Sequence, residues 1–273
     1  MNRLAPKVLP GFGLTLGFTL AYLGFLVVLP LGALLFQALS NNPMDFFQSA
    51  FHPRALSAYW NSVSMAFTAA IFNTFIGLLI AWVLVRYKFF GRRFMDALID
   101  LPFALPTSVA GFVYSTLYSE RGWLGEFLGQ NGIYLTHTWF LTVLVLLFTG
   151  FPFVVRTVQP VLEELDGDLE EASAILGASR LQTFSNVILP SILPALITGF
   201  SLAFARGLGE YGSIVFVSSN LPYRSETGPV LIVSRLEENA INDASAAAIV
   251  MLLASFGMLL LINTLQKRRQ ANG

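Results

Sequence analysis

Two charged residues of this chain stand where an apolar segment ends, and their spacing makes them candidates for chemistry. Arg206 and Glu210 are four residues apart, so a helix places them on one face. Three glycines between 207 and 212 interrupt that helix, and free N–H groups at a helix break can hold an anion. Arg206, Glu210 and Ser213 are therefore candidates to line a pathway. For the charged pair, an intrahelical ion pair at the outer interface is the favoured alternative.

A second polar group lies beside two prolines in another apolar segment. Pro102 and Pro106 each lack a backbone donor, so they must weaken and kink any helix that contains them. Such breaks are tolerated in a membrane only where protein or a cavity satisfies the backbone. Thr107 and Ser108, beside the break, are therefore candidates to line a water-accessible pathway. A packing kink with small residues at a helix interface is an equally good interpretation.

The sequence contains no arrangement typical of an enzyme or a metal site. It has no cysteine, and its two histidines, His52 and His137, stand in separate polar segments away from any carboxylate cluster. A phosphate-binding loop of the form G-x-x-x-x-G-K-[ST] is absent, as is the G-x-S-x-G motif of serine hydrolases. We therefore expect neither catalysis nor a bound cofactor or metal in this chain. The net charge of zero gives no electrostatic support for nucleic-acid binding.

The composition is that of a membrane protein. Hydrophobic residues make up 55% of the chain, charged residues only 12%, and the mean hydropathy is +0.67. A bilayer core of about 30 Å requires about 20 helical residues. Six apolar stretches are long enough to span it, near residues 13–38, 60–85, 95–117, 138–159, 188–207 and 244–265. The predicted fold is therefore all-α, a polytopic membrane protein with six transmembrane helices in a single domain over residues 1–273.

The distribution of positive charge predicts the orientation in the membrane. Lys and Arg concentrate in loops that remain in the cytoplasm. Most of the 16 Lys and Arg residues, among them Arg3, Lys7 and the cluster at 86–93, fall on the side that carries both termini. We therefore expect both termini and the polar loop 160–188 to be cytoplasmic.

The loop 160–188 contains signals for two short helices. Apolar residues recur at three- and four-residue steps over 162–176, with acidic residues on the other faces, which predicts an amphipathic helix. Gly177 suits a left-handed residue at the end of that helix. Ser179 and Gln182 match a capping box, so a second helix should begin at once. We expect the two helices to form a tight elbow on the membrane surface; periodicity alone favours a merely solvated surface helix.

The same loop resembles the "EAA…G…I-LP" loop of ABC importer permeases. The resemblance rests on the runs Glu170-Glu171-Ala172-Ser173-Ala174-Ile175-Leu176-Gly177 and Val187-Ile188-Leu189-Pro190. Ser173 replaces the usual second alanine and Val187 the usual isoleucine, and both changes are small. In that family the elbow is the coupling helix, which docks onto a separate ATPase. The resemblance implies that ATP and Mg²⁺ bind to that ATPase. It also implies that the contact is made by Glu170, Glu171, Ala172, Ser173, Gly177, Ala178, Ser179 and Arg180.

A narrower resemblance extends over nearly the whole chain. Four segments resemble the T-type permease subunits of bacterial sulfate/thiosulfate importers, the CysT family. They are DLPFALPTSVAG (100–111), GLGEYGS (207–213), LPYRSE (221–226) and LIVSRLEE (231–238). The resemblance implies the type I ABC importer architecture in a bacterial inner membrane. It also implies three partners: a second, W-type permease subunit, a dimer of ATPase subunits and a periplasmic sulfate-binding protein. The function that follows is ATP-driven import of sulfate or thiosulfate.

Three alternatives remain open from the sequence. The first two of those segments are also similar to molybdate permeases, so a permease for molybdate or tungstate is one alternative. An ion-coupled secondary transporter is another. Such transporters usually carry acidic residues along their spans, whereas Asp96, Asp100 and Glu210 lie near span ends here. A purely structural membrane subunit is the third.

Overall fold

The computed structural model describes residues 12–39, 43–165 and 167–272. The regular secondary structure of these residues is helical, apart from one isolated β-bridge between His137 and Ser218. The helices follow in chain order as α1 (Phe12–Leu23), α2 (Leu29–Leu39), α3 (Pro43–Ala50), α4 (Pro53–Arg86), α5 (Arg92–Ile99), α6 (Leu101–Ala104), α7 (Thr107–Tyr118), α8 (Trp123–Gly129), α9 (Trp139–Glu164), α10 (Gly167–Ile175), α11 (Arg180–Thr183), α12 (Leu189–Leu208), α13 (Ile214–Val217), α14 (Gly228–Glu237) and α15 (Ile241–Asn272). Two π-helical turns, Gly24–Val28 and Phe184–Ile188, join α1 to α2 and α11 to α12. The all-α prediction is confirmed.

The core of the fold is built by three long helices, α4, α9 and α12. Their inner faces form one cluster of buried apolar side chains, among them Val154, Val158, Ile192 and Phe204. Lipid tails are as apolar as these side chains, so helices in a membrane associate through close packing rather than through exclusion of water. The contacts between these three helices therefore have to be tight.

Glycines allow the backbones of the three core helices to touch. A Cβ atom on Gly77 would lie 2.6 Å from Cβ of Val154, and one on Gly199 would lie 2.8 Å from Cα of Val154. Neither position has room for a side chain. Since Val154 belongs to α9, this one valine packs against the backbones of both α4 and α12. A further close approach joins Gly207 of α12 to Ala66 of α4, where an added Cβ would meet Ala66 Cβ at 3.1 Å.

Most of the expected spans are continuous helices. Within the described residues, five helical runs are long and apolar enough to cross a membrane: Phe12–Ala38, Pro53–Arg86, Trp139–Glu164, Arg180–Leu208 and Ile241–Ile262. They correspond to five of the six predicted segments. The run that begins at Arg180 starts well before the predicted residue 188, and the one that begins at Pro53 starts before residue 60.

The remaining predicted span, near 95–117, is divided into α5, α6 and α7. Leu105 and Pro106 are extended between α6 and α7. A residue that precedes proline is disfavoured in the helical conformation, so Leu105 cannot continue α6. The expected kink is therefore a complete break. The predicted stretch thus consists of three helical pieces, none of which is among the runs long enough to cross a bilayer by itself.

One arginine fixes this broken segment to the core. Arg156 of α9 donates two hydrogen bonds of 2.8 Å to the carboxylate of Asp100, at the junction of α5 and α6. It donates two more, also of 2.8 Å, to the carboxylate and the backbone carbonyl of Asp96. The planar guanidinium suits this geometry, since its donors are arranged as a rigid fork. The first part of the divided span, α5 and its junction with α6, is thus held to α9 by charge-assisted bonds.

The close packing of α4 against α9 predicts the effect of enlarging Gly77. Gly77→Leu should destabilise the protein by about 1–3 kcal/mol, because overpacking a filled core forces side chains and backbone to shift. The thermal unfolding midpoint in detergent measures the effect. Gly257→Leu is the matched control, since no atom lies within 4 Å of an added Cβ on that residue of α15. Equal shifts in the two variants would contradict the packing interpretation.

Candidate functional site

The loop between α9 and α12 forms a sharp elbow at Gly177. This glycine has φ of +83°, the left-handed conformation that the sequence predicts. The Gly177 N–H donates to the carbonyl of Ala174, and the Ala178 N–H donates to the carbonyl of Ser173, both at 3.0 Å. This pair of bonds is a Schellman motif, which satisfies the carbonyls at the end of α10. The direction of the chain is thereby reversed within a few residues.

The second half of the elbow is capped as the sequence predicts. The Ser179 hydroxyl accepts a bond from the Gln182 N–H at 3.4 Å, and Oε1 of Gln182 accepts one from the Ser179 N–H at 2.8 Å. These two bonds form the predicted capping box. The hydroxyls of Ser173 and Thr183, 3.1 Å apart, join α10 to α11. The elbow is therefore fixed by local hydrogen bonds on both sides of the turn.

The amphipathic run 162–176 is not the single helix that its periodicity predicts. Its first residues belong to α9, which ends at Glu164, and α10 begins only at Gly167. Leu165 is extended and ends α9. Periodicity missed this break because the apolar spacing continues across it.

The second helix of the elbow is not a separate short helix, which corrects another expectation. α11, the π-helical turn and α12 form one run over Arg180–Leu208. The π-helical turn ends just before Pro190, and the Leu189 N–H donates to the carbonyl of Phe184 within it. Such a wider turn is a usual adjustment where a proline removes a donor from a helix. The elbow is consequently continuous with a membrane-spanning core helix.

The outer surface of the elbow is apolar with a charged rim. Ile175 and Leu176 are each 86% exposed, and Leu181 is 75% exposed. Large aliphatic side chains exposed together mark a contact surface. We call this the elbow surface; its members are Ile175, Leu176, Leu181 and the exposed residues Glu171, Ala172, Ser179 and Arg180. The three aliphatic residues are not among the predicted contact residues; their only signal in the sequence is that they flank the turn at Gly177.

The two neighbouring glutamates of the elbow have different surroundings. Glu171 is exposed, whereas Glu170 forms an ion pair with Arg86, the last residue of α4. The Arg86 guanidinium also lies 5.5 Å from the ring centroid of Trp82, and the Trp82 ring packs edge-on against Phe184. Of the two predicted contact carboxylates, Glu171 is therefore the exposed one, while Glu170 contacts its own chain.

The predicted pair at the end of α12 is a buried ion pair. Glu210 is 1% exposed and accepts bonds from the Arg206 guanidinium, from the Ser213 N–H at 2.8 Å and from the Ser213 hydroxyl at 2.9 Å. The ion pair of the favoured alternative is present, but it is not intrahelical, because α12 ends at Leu208 and Glu210 lies beyond it. Ser213 is 0% exposed and its hydroxyl is bound to Glu210, so it lies on no open surface in this structure.

The two predicted pathway segments lie against each other. An added Cβ on Gly212 would be 2.4 Å from the Thr107 hydroxyl oxygen, and one on Gly111 would be 2.4 Å from the Ser213 carbonyl oxygen. The start of α7 therefore packs directly on the chain that follows α12. Thr107 is half-buried in this contact, whereas Ser108 is exposed. Of the five residues predicted to line a pathway, Ser108 is the one that is exposed.

Comparison with known proteins places the chain in a family. The family model described as "Binding-protein-dependent transport system inner membrane component" matches residues 73–270. The chain belongs to this permease family. The permease is 47% identical over 262 residues to the sulfate transport system permease protein CysT of Salmonella typhimurium, a match that covers 96% of this chain and 95% of that protein.

Solved structures confirm the fold of the permease. It is similar to a bacterial ABC transporter involved in the import of the acidic polysaccharide alginate, with a TM-score of 0.77, 18% identity and coverage of 94% of both chains. A bacterial alginate ABC transporter in complex with a periplasmic protein that carries an alginate pentasaccharide gives the same TM-score at 17% identity, with coverage of 94% and 93%. At this identity the likeness supports the ABC permease architecture and not a shared substrate.

The histidines of the permease have local structural roles. The ring of His52 caps α4 by accepting a bond from the Arg54 N–H at 3.3 Å. His137 lies in the left-handed region with φ of +61° and contacts the Ser218 carbonyl through Nδ1 at 3.3 Å. In the described part of the chain, no group of three or more His, Asp or Glu side chains is placed to hold a metal ion.

A second buried ion pair of the permease was missed by the sequence analysis. Arg54, at the start of α4, donates bonds of 2.9 and 2.7 Å to the two carboxylate oxygens of Glu226, which is 2% exposed. The Asn61 side chain donates to the Glu226 carbonyl at 2.9 Å. These bonds fix the loop before α14 to α4. The run 221–226 carries a family resemblance, but no sequence pattern indicates that Glu226 pairs with Arg54. The two residues are distant in the chain.

The bonding of Glu210 predicts two different outcomes for its replacement. Glu210→Ala should destabilise the permease by about 1–3 kcal/mol, because it leaves the buried N–H and hydroxyl of Ser213 without a partner. Glu210→Gln should cost less, because its Oε1 can still accept the N–H and hydroxyl of Ser213. Thermal unfolding midpoints in detergent measure both. An equal decrease of the unfolding midpoint in the two variants would show that the bonds from Ser213 to residue 210 contribute nothing to stability.

Proposed function

We propose that the permease is the T-type membrane subunit of an ATP-driven importer of sulfate or thiosulfate. The observation that carries the proposal is the elbow surface, where exposed aliphatic side chains and a carboxylate stand on a loop that is continuous with a core helix. The substrate is supported by the 47% identity to a sulfate transport system permease protein over 96% of the chain. Sulfate and thiosulfate are both tetrahedral oxyanions, so one path can serve both.

The elbow surface supports docking of a separate ATPase. Burial of Ile175, Leu176 and Leu181 in a groove of the partner would remove apolar surface from water. Glu171 and Arg180 would form the charged rim of that contact. The sequence lacks a phosphate-binding loop, so ATP and Mg²⁺ belong to the ATPase in this proposal.

The continuity of the elbow with α12 supports a mechanical role. When two ATPase subunits close on ATP, they draw the elbows of the two permease subunits together. Since Arg180–Leu208 is one helical run, displacement of the elbow moves the core helix directly. The permease halves then rock about a central anion path, which opens to one side at a time.

The remaining partners follow from the family and the expected orientation. We propose a W-type permease as the second membrane subunit, and a periplasmic sulfate-binding protein as the source of the anion. A solved structural neighbour is a complex with a periplasmic protein, which supports the second of these. The elbow and both termini face the cytoplasm in this proposal. Arg3 and Lys7, on which the orientation partly rests, lie outside the described residues.

An ion-coupled mechanism has no support in the site. The buried carboxylates of the described residues are Glu210 and Glu226. Each is paired with an arginine, Arg206 and Arg54 respectively. A carboxylate held in an ion pair is a poor carrier for a proton or a sodium ion, because its charge is already neutralised.

The docking proposal predicts the effect of reversing the charge of Glu171. Glu171→Lys should release the ATPase, because like charges meet at a desolvated contact, with an expected cost of about 2–5 kcal/mol. Retention of the ATPase on the tagged permease, followed by its ATP hydrolysis, is the measurement. Glu163→Lys, an exposed carboxylate of α9, is the matched control and should retain the ATPase. Equal release by both variants would reduce the elbow to a generic acidic surface.

The pathway proposal predicts different reactivity at two serines. The natural chain has no cysteine, so Ser108→Cys provides a single thiol at an exposed position. This thiol should react with a small charged thiol reagent, because reaction needs the thiolate and therefore water. Its rate should change between nucleotide-free and ATP-trapped complexes. Ser213→Cys, fully buried, is the control and should stay unreactive in the conformation described here. An unreactive Ser108→Cys in both states would assign α7 to packing alone.

A further inference from the structure

The ion pair between Glu170 and Arg86 joins the elbow to a helix to which the chain does not connect it directly. Arg86 ends α4, and Glu170 lies in the first turn of α10. The two residues are distant in the sequence, so the pair depends on the tertiary arrangement. Both side chains are only partly exposed, 23% for Arg86 and 33% for Glu170. The pair is therefore a tertiary contact between α4 and α10, and its side chains are largely shielded from water.

The surroundings of the pair favour both charges. A cation is stabilised at the C-terminus of a helix and an anion at the N-terminus, and these are the positions of Arg86 and Glu170. The Arg86 guanidinium also lies over the Trp82 ring, with 5.5 Å between its central carbon and the ring centroid. Trp82 in turn packs edge-on against Phe184 of the π-helical turn, with 5.7 Å between ring centroids. The same two aromatic rings thus connect α4 to the helix that leaves the elbow.

The connections of the elbow to the three core helices are unequal. The chain itself joins α10 to α9 on one side and to α12 on the other. The chain does not join α10 directly to α4, but the pair between Arg86 and Glu170 brings the two helices into contact. If α4 is to follow the elbow, this pair has to carry part of the displacement.

We propose that Glu170 is a positioning residue, which with Arg86 transmits movement of the docked elbow to α4. This inference rests on the proposed function and deepens it, because it separates the two neighbouring glutamates by role. Glu171 meets the ATPase, whereas Glu170 sets where the elbow stands relative to α4. α4 is packed on α9 at Gly77 without free space, so a displaced end of α4 shifts the core. Without the pair, the end of α4 follows the elbow less fully, and ATP hydrolysis continues with less transport.

The test is the stoichiometry of the assembled transporter. The permease with its partner subunits and binding protein is reconstituted into vesicles, and ATP hydrolysed is compared with radioactive sulfate imported. Glu170→Gln and Arg86→Gln should each raise the ratio of ATP to sulfate by about threefold or more, which corresponds to an ordinary coupling energy between contacting residues. The amount of ATPase bound to the permease should equal that of the unaltered complex. A partly exposed ion pair contributes little to folding, so these variants should assemble.

The charge-exchanged variant decides between transmission and a general structural effect. The double variant Arg86→Glu with Glu170→Arg restores opposite charges at the same place. Its ratio of ATP to sulfate should fall below that of Arg86→Glu alone and that of Glu170→Arg alone. Glu163→Gln is the matched control and should leave the ratio unchanged. A ratio in the exchanged variant as high as in the single reversals would overturn the inference.

Three further outcomes distinguish this inference from the proposed function. Release of the ATPase by Glu170→Gln would overturn the inference alone, because it would place Glu170 in the docking contact beside Glu171. Failure of the unaltered permease to retain any ATPase would refute the docking proposal and this inference together. Normal stoichiometry in both Glu170→Gln and Arg86→Gln, with the ATPase bound, would refute the transmission role and leave docking intact.

Discussion

The rest of the structure depends on backbone contact between α4, α9 and α12. In lipid, the association of helices relies on van der Waals packing, and small residues bring backbones close enough for it. Gly77 and Gly199 both meet Val154, and the Asn73 side chain occupies the space that a Cβ of Gly150 would need. These contacts fix the axial position of each helix relative to its neighbours. They thereby fix where α4 ends, where the elbow leaves α9, and where Arg206 and Glu210 terminate α12.

The candidate functional segments are breaks in helices, and each break satisfies its own polar groups. A break in a helix leaves backbone N–H and C=O groups without intrahelical partners, and these groups need other hydrogen bonds. At the elbow this is done by the Schellman motif at Gly177 and the capping box at Ser179. After α12 it is done by Glu210, which bonds the N–H and the hydroxyl of Ser213. Since these bonds are local, a segment can move as a unit without exposing unpaired groups, which is what an alternating-access mechanism requires.

The sequence predicted the features that depend on neighbouring residues. The left-handed conformation of Gly177, the capping box and the pairing of Arg206 with Glu210 each involve residues within one helical turn. Proline chemistry likewise located the break near Pro106, although not its completeness. The pairs of Arg86 with Glu170, Arg54 with Glu226 and Arg156 with Asp96 and Asp100 could not be predicted. They depend on how long helices are aligned along each other, and no pattern in a single sequence encodes that alignment.

The aliphatic part of the elbow surface escaped prediction for a different physical reason. Apolar residues at helical spacing ordinarily face their own protein, so periodicity alone favoured a solvated surface helix over a docking surface. The structure instead exposes Ile175, Leu176 and Leu181. A helix whose apolar face is covered by another subunit has the same pattern as one that covers its own core. Only the tertiary structure distinguishes the two.

The pairing of the arginines bears on how an anion passes through such a protein. In the described part of the chain, carboxylates bind Arg54, Arg86, Arg156, Arg206 and Arg235. An arginine whose charge is already neutralised attracts a divalent anion only weakly. Among these arginines, Arg206 belongs to the predicted pathway segments. Conduction requires binding weak enough for release, so its pairing with Glu210 suits a path that must let sulfate go. Selection among tetrahedral oxyanions then has to occur before the anion enters the path. In the proposed assembly, the periplasmic binding protein is where an anion can be held tightly without stopping transport.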